Sequence, residues 1–338
     1  MNKKYQILNL EIKKLINLLD KKTKSHPYFV VISMHELFRN LYPHDPYIKI
    51  EKNNYKRIKE TVKRLNNFFN LACKLGAYKN SAIFSKYDTQ DLFGKLWFER
   101  LNEKNLDSSM VLKELLIRSN FDLKFFKNKK ILDIGCGSGR FTVAFAKLGA
   151  KLSVGVDLGD KGLKIARLTA KKNNIKNIKF YKSNVLKLPF KKNSFDFVFC
   201  KGVLHHTGNT YKGLSELKRV LKTNSQAFIY LYGSDGIFWK TRKLMRKVMK
   251  KIPYDYAIKV LNIIGMPSRR SIFIDSWYVP IEDHINQNTL EKWFKKNNIE
   301  FKKYKNAKKT ELEYMEKKEI DFKELFGNGE LRYIIKKC

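Results

Sequence analysis

The sequence predicts an α/β protein, a doubly wound sheet of seven strands, with a helical accessory domain ahead of it and a helical lid inserted late in the chain. Three observations carry that reading. From about Asn128 short β-branched runs alternate with helical stretches, as in βαβ units feeding a parallel sheet. A glycine-rich turn, Gly135, Gly137 and Gly139, joins the first of these runs to the first helical stretch. Upstream of about residue 85 the periodicity is helical and carries no nucleotide-fold features.

In the amino-terminal region Ile7, Leu8, Ile12, Leu15, Ile16 and Leu19 recur at helical spacing, as do Ile58, Val62, Leu65, Phe69, Ala72 and Leu75. Pro27, Pro43 and Pro46 interrupt regular structure between them, because the residue before a proline is pushed out of the helical region. Strands are expected at Lys130 to Ile134, Leu152 to Asp157, Ile178 to Lys182, Phe195 to Lys201 and Gln226 to Leu231. Helices are expected at Arg140 to Leu148 and Lys161 to Lys172. The alternation then stops: a basic helix spans Trp239 to Ile252 and an aromatic-rich stretch Ile272 to His284. A helix at Thr289 to Asn297 and strands near Ile299 to Tyr304 and Leu331 to Lys336 complete the sheet. The predicted division is 1–85 and 86–338, with the nucleotide-binding core at about 128–233 and the lid at about 234–286.

Composition narrows the class. Hydrophobic residues make up 43% and aromatics 13%, enough to bury a core, and no run approaches the roughly 18 apolar residues that a membrane span needs. With no apolar leader segment, a cytoplasmic location is expected. Cys73, Cys136, Cys200 and Cys338 lack metal spacing, so neither a zinc site nor a disulfide framework is expected. The net charge of +38 favours anionic partners, nucleic acid or a lipid surface, but 57 of the 70 basic residues are Lys and 13 are Arg. A Lys surplus spread along the chain argues weakly for a dedicated nucleic-acid surface and fits compositional drift as well.

The glycine turn is built for close approach to a ligand. Its pattern, Asp133-Ile-Gly-Cys-Gly-Ser-Gly139, is G-x-G-x-G, and Asp133 places a carboxylate where a pyrophosphate would be repelled and a cationic amino-acid tail attracted. Asp157 ends the second strand, 18 residues after Gly139, where a carboxylate accepts from both ribose hydroxyls. Asn184 follows the third strand and suits an adenine edge, with Leu158 and Val185 placed to sandwich the base. Read singly, Asp157 is equally a helix cap and Asn184 a turn residue; their order after the glycine loop points to a nucleoside.

These motifs resemble those of class I S-adenosylmethionine-dependent methyltransferases, and the closest look is to the ubiquinone/menaquinone-biosynthesis-like group. The resemblance rests on Ile131 to Gly139, Val154-Gly-Val-Asp157, Asn184 with Leu188-Pro-Phe190, and Ser194-Phe-Asp-Phe-Val198. Gly202-Val-Leu-His-His-Thr207 and Leu217-Lys-Arg-Val-Leu221 extend it, and Tyr87 with Phe93 and Trp97 resembles that group's cofactor-covering segment. It implies a Rossmann-like methyltransferase sheet over about residues 87–305, with S-adenosylmethionine as cofactor. Asp133, Gly135 and Gly137 would hold its methionine part, Asp157 the ribose and Asn184 the adenine, with Cys136, Gly139, Leu158, Val185 and Lys201 completing the expected cofactor site. Asn184 departs from the Asp more usual there.

The acceptor is less legible. His205 and His206 follow the fourth strand, near the expected methyl, and are candidate bases for a hydroxyl or an acidic carbon, although adjacent residues cannot both face one atom. Cys200-Lys-Gly-Val203 replaces the Asn/Asp-Pro-Pro-Tyr/Phe loop of amino-methylating nucleic-acid enzymes, which disfavours adenine-N6 and glutamine acceptors. Trp277, Tyr278 and His284 are candidates to line an acceptor pocket, and Lys240, Arg242, Lys243, Arg246, Lys247, Lys250 and Lys251 mark a basic lid helix. Methyl transfer to the oxygen or carbon of a small molecule leads; an RNA methyltransferase and a non-catalytic cofactor-binding module stay open.

Overall fold

The computed structural model describes residues 2–41, 54–74, 122–263, 273, 276–303 and 319–338; Tyr87, Phe93 and Trp97 lie outside them. Internal contacts divide the chain into two units. A helical unit takes residues 1–87, 234–279 and 307–329, so the late insertion groups with the amino-terminal helices. A sheet unit takes residues 88–233, 280–306 and 330–338, so the end of the expected lid, 280–286, belongs with the sheet.

In the sheet unit seven strands, β1 (Lys130–Ile134), β2 (Leu152–Asp157), β3 (Ile178–Lys182), β4 (Phe195–Lys201), β5 (Leu221–Tyr232), β6 (Ile299–Lys303) and β7 (Glu330–Lys337), line up in the order β3-β2-β1-β4-β5-β7-β6. The first five pair in parallel and β7 runs antiparallel between β5 and β6. The chain starts at the middle strand, winds out to β3 and returns at β4. The order therefore reverses between β1 and β4, and in such sheets ligands bind outside the carboxyl ends of the strands at that reversal.

Alternation along the strands builds two cores. Ile131, Phe197, Phe199 and Phe228 face one side with Phe126 and with Ala144 and Phe145 of α4 (Arg140–Lys147), and Phe199 stacks on Phe228 with ring centroids 5.0 Å apart. Leu132, Ile134, Val154, Val156, Val198, Cys200 and Ile229 face the other. That side is covered by Leu214 and Leu217 of α6 (Thr210–Val220) and by Leu290 and Phe294 of α9 (Gln287–Lys296). Helix α5 (Asp160–Lys172) packs beside β3. The central strands β1, β2 and β4 are buried on both faces, as a sheet covered on both sides requires, while β3 and β6 at the two edges carry exposed polar residues.

The helical unit holds α1 (Lys3–Lys21), α2 (Pro27–Leu41), α3 (Asn54–Lys74), α7 (Gly236–Met249), α8 (Tyr254–Ile263) and α10 (Glu319–Phe326) among its described residues. Its core joins the stripes read from the sequence, Leu8, Ile12, Leu15, Ile58 and Val62, to Phe38, Phe273 and Trp277. The basic residues that mark the lid helix do not all face solvent. Arg242 and Arg246 turn inward, 3% and 8% exposed, and Arg246 donates to the carbonyls of Ser276 (3.0 Å) and Val279. A guanidinium has five donors and can saturate buried carbonyls that no apolar residue could.

Phe197 is fully buried and touches the rings of Phe125, Phe126 and Phe145. Phe197→Ala should therefore cost about 3–5 kcal/mol of stability, measured by urea denaturation, with no change in the rows of strand pairing.

Candidate functional site

The loop from β1 to α4 turns through left-handed conformations at Gly135, Gly137 and Gly139, with φ of 68°, 51° and 78°. Two positions need glycine for space as well: a Cβ on Gly135 would lie 2.2 Å from Val203, and one on Gly139 would lie 2.7 Å from the Cβ of Ala166. The loop is held from β2. Gly135 and Cys136 donate to the Val156 carbonyl at 2.8 and 3.0 Å, and Gly137 N–H donates to Asp157 Oδ2 at 2.8 Å. The other oxygen, Oδ1, accepts from Gly159 N–H at 2.8 Å. Asp157 thus ties the first two loops of the sheet together and keeps one further lone pair on each oxygen. Burial raises its pKa, against the pull of those backbone donors.

Asp133 lies directly beneath. It is 2% exposed and accepts from the Thr142 hydroxyl at 2.6 Å. Burial pushes its carboxyl up to about 7, and the Asp157 charge adds to the effect, while the Thr142 bond and the Lys201 ammonium oppose it. Lys201 itself lies 5.0 Å from the Phe141 ring centre. Cys136 is 7% exposed, and burial pushes its thiol well above the ordinary range. Asp157 and Asp133 thus give this loop an acidic lining, coupled to the Lys201 ammonium, that disfavours a phosphate.

After β3, Asn184 Oδ1 accepts from Leu186 N–H at 2.9 Å in a tight turn. One lone pair of the oxygen expected to accept from an adenine amino group is thus engaged, and its second lone pair stays in place for that role beside the amide N–H groups. Val185 is 8% exposed and Leu158 40%. Arg219, in the Leu217 to Leu221 motif, holds this connection in place: it donates to the carbonyls of Phe190 (2.6 Å) and Leu188 (2.9 Å) and pairs with Glu216 at 2.7 Å. Glu216 in turn accepts from Leu188 N–H at 2.7 Å.

The two histidines after β4 separate cleanly. His205 is fully buried, stacks on Tyr232 at 3.8 Å, and its Nδ1 accepts from the Tyr232 N–H at 3.3 Å. That makes it part of the interior, and a base must reach its substrate. His206 is 8% exposed, and its Nδ1 lies 2.8 Å from the Ile281 carbonyl. A carbonyl only accepts, so the proton sits on Nδ1 and the basic lone pair on Nε2. The segment around Ile281 is stitched to the same loop: Asp283 N–H donates to the His205 carbonyl (2.7 Å), the Asp283 carboxylate accepts from Thr210 (2.9 Å), and Ile285 N–H donates to Tyr232 (3.0 Å). His284 Nε2 meets Glu282 at 2.7 Å, and the Glu282 side chain is 2% exposed.

The three expected pocket residues are divided between the two units. Trp277 is fully buried against Phe38 and Phe273 in the helical unit. Tyr278, in the same unit, donates its hydroxyl to the Ile252 carbonyl at 2.9 Å, and burial raises the phenol's pKa. His284 belongs to the sheet unit. Thr142 and the anchoring role of Arg219 escaped the sequence reading, because Thr142 acts through Asp133 on the preceding strand and Arg219 through the carbonyls of Leu188 and Phe190, about thirty residues away. Among the described residues no group of three His, Cys, Asp or Glu side chains is arranged to hold a metal ion, and no helix is long and apolar enough to cross a membrane.

A family model described as a methyltransferase domain matches residues 125–298, just over half of the chain. The chain belongs to this methyltransferase-domain family. The matched stretch carries every loop described above. Among curated relatives, this family member is 34% identical over 120 residues to the ubiquinone biosynthesis O-methyltransferase of Pelagibacter ubique, covering 35% of this chain and 48% of that one. It is 31% identical over 153 residues to the tRNA U34 carboxymethyltransferase of Ruthia magnifica subsp. Calyptogena magnifica, covering 44% of each. The chain thus spans about half or less of the curated relatives it matches. The solved PH0226 protein of Pyrococcus horikoshii is 20% identical, with a TM-score of 0.44 and coverage of 70% of this chain and 93% of that one.

A carboxyl raised to about 7 binds its proton more tightly in the folded than in the unfolded chain. Its contribution to stability is complete below the ordinary carboxylate range near pH 4 and is lost as the pH rises through about 7. An amide does not titrate. The stability of the wild type relative to Asp133→Asn should therefore fall by about 3 kcal/mol between pH 5 and pH 8 in urea denaturation without ligand.

Proposed function

We propose that this chain transfers the methyl group of S-adenosylmethionine to an oxygen or an acidic carbon of a small-molecule acceptor. The observation that carries the reading is the acid-lined glycine loop, in which Asp133 and Asp157 converge under a backbone with no room for side chains at Gly135 and Gly139. The residues fit the cofactor part by part. Asp133 would meet the cationic amino-acid end, the remaining lone pairs of Asp157 would accept from the ribose hydroxyls, Leu158 and Val185 would flank the base, and the Asn184 amide would bond to its edge. When bound, S-adenosylmethionine supplies an electrophilic methyl on a sulfonium.

The protein's own part is position and one proton. In-line displacement needs the acceptor held close, which the loop after β4 and the return segment at 280–286 do together. His206, its Nδ1–H fixed on Ile281, takes the acceptor proton on Nε2 as the new bond forms. His205 keeps the loop packed on Tyr232.

Two measurements test this. Asp157→Ala should weaken S-adenosylhomocysteine binding by about tenfold or more in calorimetry, because both the ribose acceptors and the anchor of Gly137 disappear; unchanged binding sinks the assignment. With radiolabelled S-adenosylmethionine and fractionated cell extract, label should enter small metabolites, and His206→Ala should slow it by about a hundredfold under saturating cofactor. Label in RNA would instead favour a nucleic-acid acceptor.

A further inference from the structure

Both units are basic in proportion to their length, so composition singles out neither. Arrangement does. Within the helical unit α1 and α7 run side by side and in parallel, pinned at both ends. At their starts, Asn2 N–H donates to Glu324 of α10 at 2.8 Å, and Trp239 Nε1 donates to the Phe326 carbonyl at 3.1 Å. At their far ends, Lys251 Nζ reaches both carboxylate oxygens of Asp20 at 2.6 and 2.7 Å.

The outward stripe of α1, at alternating spacings of four and three, is Lys3, Ile7, Leu10, Lys14, Asn17 and Lys21, with Ile7 45% and Leu10 55% exposed. On α7 every exposed position is a lysine: Lys240, Lys243 and Lys247. No acidic residue occupies an exposed position on either helix. Among the described residues none of these six lysines makes an ion pair. The groove between α1 and α3, of about 490 Å³, differs in kind, since Glu11 and Glu60 there offset Lys56, Lys59 and Lys63.

We propose that the α1–α7 face docks on an anionic lipid bilayer, with the lysines over the headgroups and Ile7 and Leu10 inserted at the level of the acyl boundary. Two parallel helices present their lysines as rows, the geometry of a flat charged surface. The exposed apolar residues are aliphatic, whereas single-stranded nucleic acid is gripped by aromatic stacking and by arginine forks. Both arginines of α7 are spent on the interior. The inference stands independently of methyl transfer.

The test is sedimentation of the full chain with phosphatidylcholine vesicles containing about a third phosphatidylglycerol, set against vesicles of phosphatidylcholine alone. Binding should require the anionic lipid and weaken as salt rises. The triple variant K240E/K243E/K247E should bind about tenfold or more weakly, and I7S/L10S severalfold more weakly at constant salt, while thermal unfolding and S-adenosylhomocysteine binding stay unchanged. Equal binding to neutral vesicles, or a triple variant that binds as the wild type does, overturns the proposal. So does tighter binding of bulk tRNA through the same lysines with I7S/L10S indistinguishable from wild type.

Discussion

The site hangs on one carboxylate. Asp157 accepts a backbone N–H from each of two loops, Gly137 after β1 and Gly159 after β2, and so fixes the distance between neighbouring strand ends. Charge-assisted bonds of this kind offset the cost of holding a carboxylate out of water. Once Gly137 is fixed, the turn at Gly139 sets where α4 begins, and the start of α4 places Thr142 over Asp133. Close packing does the rest: Val203 and Ala166 fill the space that Gly135 and Gly139 leave open, so the loops after β1 and β4 and helix α5 are positioned against one another.

The sheet was legible because its central strands are apolar on both faces and its strands are short and bounded by turn residues, a pattern that helices do not share. Thus β1 to β4 fall where the runs at Lys130, Leu152, Ile178 and Phe195 begin, and β6 and β7 close the sheet as expected. The glycine loop was legible for a related reason, since only glycine accepts the conformation and the neighbours found there. Asp157 was legible by its place at the end of a strand, but its service to Gly137 and Gly159 was not.

What escaped the sequence depends on partners far along the chain. His205 and His206 are chemically identical neighbours, and they part company only through Tyr232 and through Ile281, which is 75 residues away from His206. Arg219 looks like any helix-terminal cation until its donors find the carbonyls of Leu188 and Phe190. The aromatic run at Trp277 and Tyr278 suits a pocket and a core equally; apolar periodicity gives the buried side of a segment and not what it is buried against. The same ambiguity hid the grouping of the insertion with the amino-terminal helices.

The strand end at Tyr232 and the return segment carry a wider consequence. The chain leaves the sheet at Gly233 and comes back beside the same point, where Gly233 and Ile285 form a parallel bridge and Ile285 bonds to Tyr232. An excursion whose two ends are joined costs the sheet nothing in register, whatever its length. The residues between those ends can be exchanged, lengthened or rebuilt over evolutionary time while the strands, the glycine loop and Asp157 stay as they are. That closure separates two tasks in one chain: the strands keep the frame, and the stretch between Gly233 and Ile285 is free to diverge.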